Sequence, residues 1–217
     1  MAVPVGRERE LQATERMLES STDRAVLLEG PTGIGKTCLW TAVTHRARER
    51  GATVLIARPS NAESGFDFAG LADLLDGVPL DGLPEPMRQA LGGAMLLRGN
   101  GSGDDAHAVS AGLLETLRLL AKSAPLVIAI DDVPWLDSAT ALALAFAARR
   151  LGVHDTHFLM TARSGQQAHT ALRRALDPER VAITALSRDA LGRIVHRRLG
   201  VRLPRPMINH LHKVTAG

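Results

Sequence analysis

Gly30-Pro31-Thr32-Gly33-Ile34-Gly35-Lys36-Thr37 satisfies the pattern G-x-x-x-x-G-K-S/T in full. On its N-terminal side lies the apolar run Ala25-Val26-Leu27-Leu28, and on its C-terminal side a stretch from Thr37 to Arg50 with helical spacing that stops at Gly51. A short continuous apolar run reads as a strand buried on both faces, and Gly51 as a helix C-terminus. Strand, glycine-rich turn and helix N-terminus form the setting this pattern needs. Small residues let the backbone wrap a phosphate, N–H groups of Gly33, Gly35 and Lys36 converge on it, and the helix dipole adds partial positive charge. Gly30, Pro31, Thr32, Gly33, Ile34, Gly35, Lys36, Thr37 and the adjoining Cys38 are therefore the expected nucleotide-binding set. Lys36 is expected to reach the β- and γ-phosphates and Thr37 to offer its hydroxyl to Mg²⁺. Cys38 itself, one residue inside the helix, reads as a small buried hydrophobe.

Outward from this loop the chain alternates strands and helices. Arg7 to Ser20, with Leu11, Met17 and Leu18 at helical spacing, predicts a first helix, and Thr53-Val54-Leu55-Ile56-Ala57 a second buried strand. Phe68 to Leu75, Glu85 to Leu97 and Ala108 to Lys122 read as helices, and Arg98 to Asp105, rich in glycine and polar residues, as a mobile loop. Leu126-Val127-Ile128-Ala129-Ile130 is the most apolar strand. Ser138 is expected to cap a helix running to Leu151. His157 to Thr161 and Val181 to Thr184 complete five strands, Ser187 caps a helix ended by Gly200, and Pro206 opens a last one. Such alternation implies an α/β fold, five parallel strands joined by crossover helices.

The strand Leu126 to Ile130 ends in Asp131-Asp132. An acid at the carboxyl end of a strand beside the one feeding the loop can face the nucleotide and hold Mg²⁺ through water, the role assigned to Asp131. Asp132 is then the carboxylate that orients and polarises the attacking water, with helix capping as the bland alternative. Thr161-Ala162-Arg163-Ser164 ends the fourth strand on the same sheet edge, where Arg163 can sense the γ-phosphate and stabilise transition-state charge. Lys36, Asp132 and Arg163 are thus the expected catalytic set.

The composition sets bounds on this reading. The chain has 217 residues, 45% hydrophobic and 23% charged, which excludes wholesale disorder, collagen and coiled coil. A single cysteine cannot make an internal disulfide, no stretch reaches the roughly 18 apolar residues of a membrane span, and no apolar leader opens the chain. A cytoplasmic protein without membrane contact is expected. From Arg188 to Lys213 seven Arg or Lys stand against one acid, Asp189, an asymmetry that attracts polyanions or merely solvates helix faces. Trp40 and Trp135 read as packing anchors. The histidine pairs His154/His157 and His210/His212 lack the companions of a metal site.

With these elements in place, the chain resembles the ATPase domain of the large LuxR-family transcriptional regulators, members of the STAND group of AAA-related P-loop NTPases. The likeness runs through Val5-Gly6-Arg7-Glu8, Gly30 to Thr37, Phe68-Ala69-Gly70-Leu71, Leu126 to Asp137 and Arg163, essentially the whole chain. It implies a sheet of order 5-1-4-3-2, a core over residues 1–186 and the first helices of an incomplete lid over 187–217. It further implies ATP or ADP with Mg²⁺ as ligands and slow, regulatory hydrolysis. Val5, Gly6 and Arg7 become candidates for contact with the base. DNA contact is implied only through a C-terminal domain absent here, and self-association in the full-length protein. Two features depart from the family: Pro134 replaces a usual polar residue, and the chain stops where the family continues into an Asn-Pro segment, which marks it as a fragment. A DNA-binding AAA module of the initiator or loader type, which also opens with Val-Gly-Arg-Glu, is the alternative.

Overall fold

The computed structural model describes residues 4–20, 24–97, 103–152 and 156–215. Helix α1 (Glu8–Leu18) precedes β1 (Ala25–Gly30), α2 (Lys36–Glu49) and β2 (Thr53–Ala57). Three helices follow, α3 (Ala69–Leu74), α4 (Glu85–Leu97) and α5 (Gly103–Ser123), then β3 (Leu126–Ile130) and a 3₁₀ turn at Val133–Trp135. The remainder is α6 (Ser138–Ala148), β4 (Thr156–Arg163), α7 (Thr170–Leu176), β5 (Glu179–Ala182), α8 (Arg188–Leu199) and α9 (Arg205–Thr215).

All strand pairs are parallel, in the order β2-β3-β4-β1-β5. This is the expected order read from the opposite edge. Because side chains alternate across a strand, each central strand feeds two cores. Leu126, Ile128 and Ile130 of β3 join Phe158 and Met160 of β4 in a core covered by α3 to α7. Val127 and Ala129 point the other way, with Val26, Leu28 and Leu159, onto Leu39, Trp40 and Val43 of α2 and Leu11 of α1. Each fully buried Leu or Ile contributes about 1.5–3 kcal/mol relative to exposure. Trp40 is the packing anchor expected of it: it is fully buried, and its indole N–H donates to the Leu159 carbonyl.

Several local expectations are corrected. Asp137, not Ser138, caps α6. Its buried carboxylate accepts the N–H groups of Thr140, Phe68 and Gly70, so it also fastens the start of α3 to the turn after β3. Helix α5 starts at Gly103, inside the stretch expected to be loop, and residues 98–102 lie outside those described. Strand β5 sits two residues earlier than expected, and α7 was not expected at all. His154 lies outside the described residues.

Helices α8 and α9 pack against each other beyond the sheet. Ser187 caps α8 through the Ala190 N–H, and Gly200, at φ +70°, ends it, both as expected. Of the apolar residues of α8, Leu199 is exposed, while Leu191, Ile194 and Val195 are half-buried. Among the described residues no helix is long and apolar enough to cross a membrane.

Candidate nucleotide-binding site

Strand β1 delivers Gly30 to the carboxyl edge of the sheet, opposite Arg163 of β4. A Cβ at Gly30 would lie 2.7 Å from the Ile183 carbonyl oxygen, so only glycine lets β1 end this close to the chain leaving β5. The loop then turns through Gly33 (φ +80°) and Gly35 (φ +100°), left-handed conformations that disfavour side chains. A Cβ at either would meet nothing, so the glycines here serve the backbone path and leave space beside it. The N–H groups of Gly33 and Gly35 have no acceptor among the described residues, and α2 starts without a side-chain cap. The first N–H groups of α2 are unpaired by helix geometry as well. A row of such donors at a helix N-terminus suits an anion.

Lys36 is buried, and its ammonium donates to the carbonyls of Gly30 and Pro31, at 2.9 Å each. Burial holds its pKa below the usual lysine range, partly countered by the charges of Asp132 and Asp131 and reinforced by Arg163. Those charges place Lys36, Asp131, Asp132 and Arg163 in one electrostatic cluster. Thr37 is exposed beside it.

The two acids are held differently. Asp131 accepts a hydrogen bond from the Thr161 hydroxyl at 2.6 Å, and the same hydroxyl accepts the Asp132 N–H at 2.7 Å. Thr161, fully buried on β4, thus ties together the ends of β3 and β4. Asp132 takes up left-handed dihedrals (φ 57°, ψ 54°) at the start of the turn that contains Pro134. Its Oδ1 is buried without a hydrogen-bond partner among the described residues. A carboxylate oxygen in that state is costly unless it has a ligand to engage, and the charge of Asp132 acts on Lys36. The residues therefore fit a magnesium-bound polyphosphate. Among the described residues no three His, Cys, Asp or Glu side chains cluster tightly enough to bind a metal by themselves, so a cation here shares phosphate and water oxygens.

The opening segment reaches this site from the other side. Arg7 is buried, donating to the Ile34 carbonyl at 2.9 Å and to Glu10 at 2.9 Å, so its guanidinium anchors the segment to the loop. Gly6 adopts φ +74°, and a Cβ there would lie 2.4 Å from Ala190 Cβ of α8. Gly6→Ala is expected to cost about 1–3 kcal/mol through strain and overpacking, lowering Tm by about 2–4 °C per kcal/mol in a thermal melt. Val5, Arg7, Ile34, Cys38, Leu186 and Ile194 are among the residues that surround a cleft of about 470 Å³ beside the loop. Cys38 is exposed in it, which corrects the buried reading.

Thr161, whose role depends on the β3–β4 register, carries no motif of its own, and Leu186 and Ile194 of the cleft were likewise not among the expected site residues.

The family model for the AAA ATPase domain matches residues 3–161, and no curated protein matches the sequence. Among solved structures, the chain is similar to a STAND protein with a tetratricopeptide repeat sensor from Pyrococcus horikoshii (17% identity, TM-score 0.55, all of this chain and 28% of that one). It is also similar to AMPPCP-bound DnaA from Aquifex aeolicus (14%, 0.58, 97% and 57%) and to Cdc6p from Pyrobaculum aerophilum (14%, 0.62, 92% and 51%). At these identities the likeness is one of fold, and the chain spans less than two thirds of each of these proteins. With a glycine loop, a buried lysine and two acids on one edge of a 5-1-4-3-2 sheet, and a model match across most of its length, the chain belongs to the AAA ATPase domain family.

Proposed function

We propose that the chain binds ATP and Mg²⁺ at residues 30–38 and hydrolyses ATP slowly, as the cytoplasmic nucleotide switch of a LuxR-type transcriptional regulator. The observation that carries the site is the pairing of a buried Lys36 ammonium, satisfied only by carbonyls, with a buried Asp132 oxygen that has no partner. Phosphates would draw Lys36 off the two carbonyls, and an attacking water would satisfy Asp132. Asp132 takes the proton of that water as it adds in line to the γ-phosphorus, and the β–γ bridging oxygen leaves with ADP. Lys36 and Arg163 offset charge on the phosphoryl oxygens. Thr37 and, through water, Asp131 would hold Mg²⁺, which would supply positive charge against the phosphate oxygens. Val5 and Cys38 face the cleft where the base would sit, with Arg7 as its anchor to the loop.

The regulatory part of the reading rests on the motif resemblance from Val5 to Arg163. Residues 1–186 act as the core and the helices from Ser187 onward as the beginning of a lid, touching the opening segment at Gly6–Ala190. A switch of this kind changes the lid with the nucleotide. Limited trypsin digestion at the arginines of α8 should therefore differ between ADP and AMPPCP. Identical digestion in both states would sink the switch.

Thr161→Val should slow phosphate release about tenfold while ATP affinity changes little, because both acids lose the hydroxyl that fixes them. Thr161→Ser should restore the rate. Equal rates for wild type and the valine variant would show the hydroxyl to be dispensable.

A further inference from the structure

The basic excess of this chain is confined to its last two helices. Residues 188–213 carry seven Arg or Lys and one acid, while the remainder carries a net charge of −3. Helices α8 and α9 border a cleft of about 850 Å³, larger than the one beside the phosphate loop. Arg188 and Arg193 line it from α8, Arg202 from the connection and Arg205 from the start of α9, with His196 alongside. Its floor includes Leu203, Ile208 and Gly192, the last placed where a Cβ would come within 3.7 Å of Ile208. Asp189 is the one acid in the lining, in the first turn of α8 where the helix dipole favours it.

Several arginines elsewhere are used in the fold. Arg46 and Arg50 bind Glu15, Arg7 binds Glu10 and Arg180 binds Glu29. Arg188, Arg202 and Arg205 have neither a carboxylate nor a hydrogen-bond partner among the described residues, and the charge of Arg193 acts on Glu8. Like charges gathered in a cleft repel and focus a positive field outward, an arrangement that a polyanion relieves. Six of the seven cations in residues 188–213 are arginines, whose planar forks match phosphate oxygens in pairs. No Phe, Tyr or Trp lines the cleft to stack a base. The array follows a helix of 12 residues, about 18 Å long, which outlasts a single phosphate group.

We propose that the α8–α9 cleft binds the phosphodiester backbone of a nucleic acid, without preference for base sequence. The site is separate from the phosphate loop and independent of the ATPase reading.

The test is fluorescence anisotropy of the full chain with labelled mixed-sequence oligonucleotides, single-stranded and duplex, over a salt series. Affinity should fall linearly in log–log form with salt, and Arg202→Glu/Arg205→Glu should weaken binding at least about tenfold and shallow the slope by about 1.5–2. Arg202→Gln/Arg205→Gln should give a smaller loss in the same direction, which guards against misfolding of the charge-reversed protein. The proposal is overturned if binding is absent at low salt or if neither double variant weakens it. It is equally overturned if polyglutamate binds as tightly as the oligonucleotide with the same sensitivity to the variants, since the cleft would then be a surface for acidic proteins.

Discussion

Asp132→Asn is expected to bind ATP as tightly as the wild type and to release phosphate at least about 100-fold more slowly, a loss of roughly 2.7 kcal/mol in transition-state stabilisation. The amide keeps the shape of the side chain but cannot take a proton from water. The left-handed backbone at Asp132 is set by the turn through Pro134 and by the Asp132 N–H on Thr161, so it should survive the change. Asp131→Asn differs in kind: it should weaken the magnesium-dependent part of binding. Single-turnover phosphate release separates the two. Equal rates for wild type and Asp132→Asn would place the general base elsewhere.

Lys36→Ala is expected to reduce ATP affinity by about tenfold to a hundredfold, because a charge-assisted hydrogen bond contributes about 1.5–3 kcal/mol. The fold should persist. Lys36 bonds only to the Gly30 and Pro31 carbonyls, both at the loop edge, and burial already disfavours its charge. Removing it therefore takes away a charge that is costly to bury, and the thermal midpoint should stay near or above that of the wild type in the absence of nucleotide. Titration with a fluorescent ATP analogue reads the affinity. Unchanged affinity would sink the assignment of the loop.

Most of the fold was legible because its central strands are buried on both faces and read as unbroken apolar runs. Strands β2 and β3 have the bounds expected for them, and α4 as well. Strand β5 was displaced because it pairs only with β1, at the edge, and its residues Glu179 and Arg180 are exposed and polar. Helix α7 has seven residues, too few to show a period, and takes its cap from the His169 ring. The choice between Asp137 and Ser138 as cap could not be made locally. Either can cap a helix, and Asp137 prevails through the N–H groups of Phe68 and Gly70, distant in sequence. The same network accounts for two motifs of the sequence occurring together, Phe68-Ala69-Gly70-Leu71 and the acidic segment ending at Asp137. A Cβ at Gly70 would fall 2.4 Å from Leu136 Cδ1, so a larger residue there would oblige the Leu136 side chain to move.

At the site, motif spacing announced the loop, but the partners of each acid depend on register. Only when β3 lies beside β4 with Ile130 opposite Met160 does Thr161 come between Asp131 and Asp132. The exposure of Cys38 depends likewise on the angle at which α2 leaves the loop, which no local pattern specifies.

We propose that Lys36, Asp131, Asp132, Thr161 and Arg163 form one ATP-hydrolysing centre. Phosphate release from ATP and Mg²⁺, followed side by side for wild type, Lys36→Ala and Asp132→Asn, tests it most directly. The wild type should release phosphate slowly, saturably and in a magnesium-dependent manner, and both variants should release it at background. Release that persists unchanged in the two variants, or a wild type that binds ATP and never splits it, would contradict it.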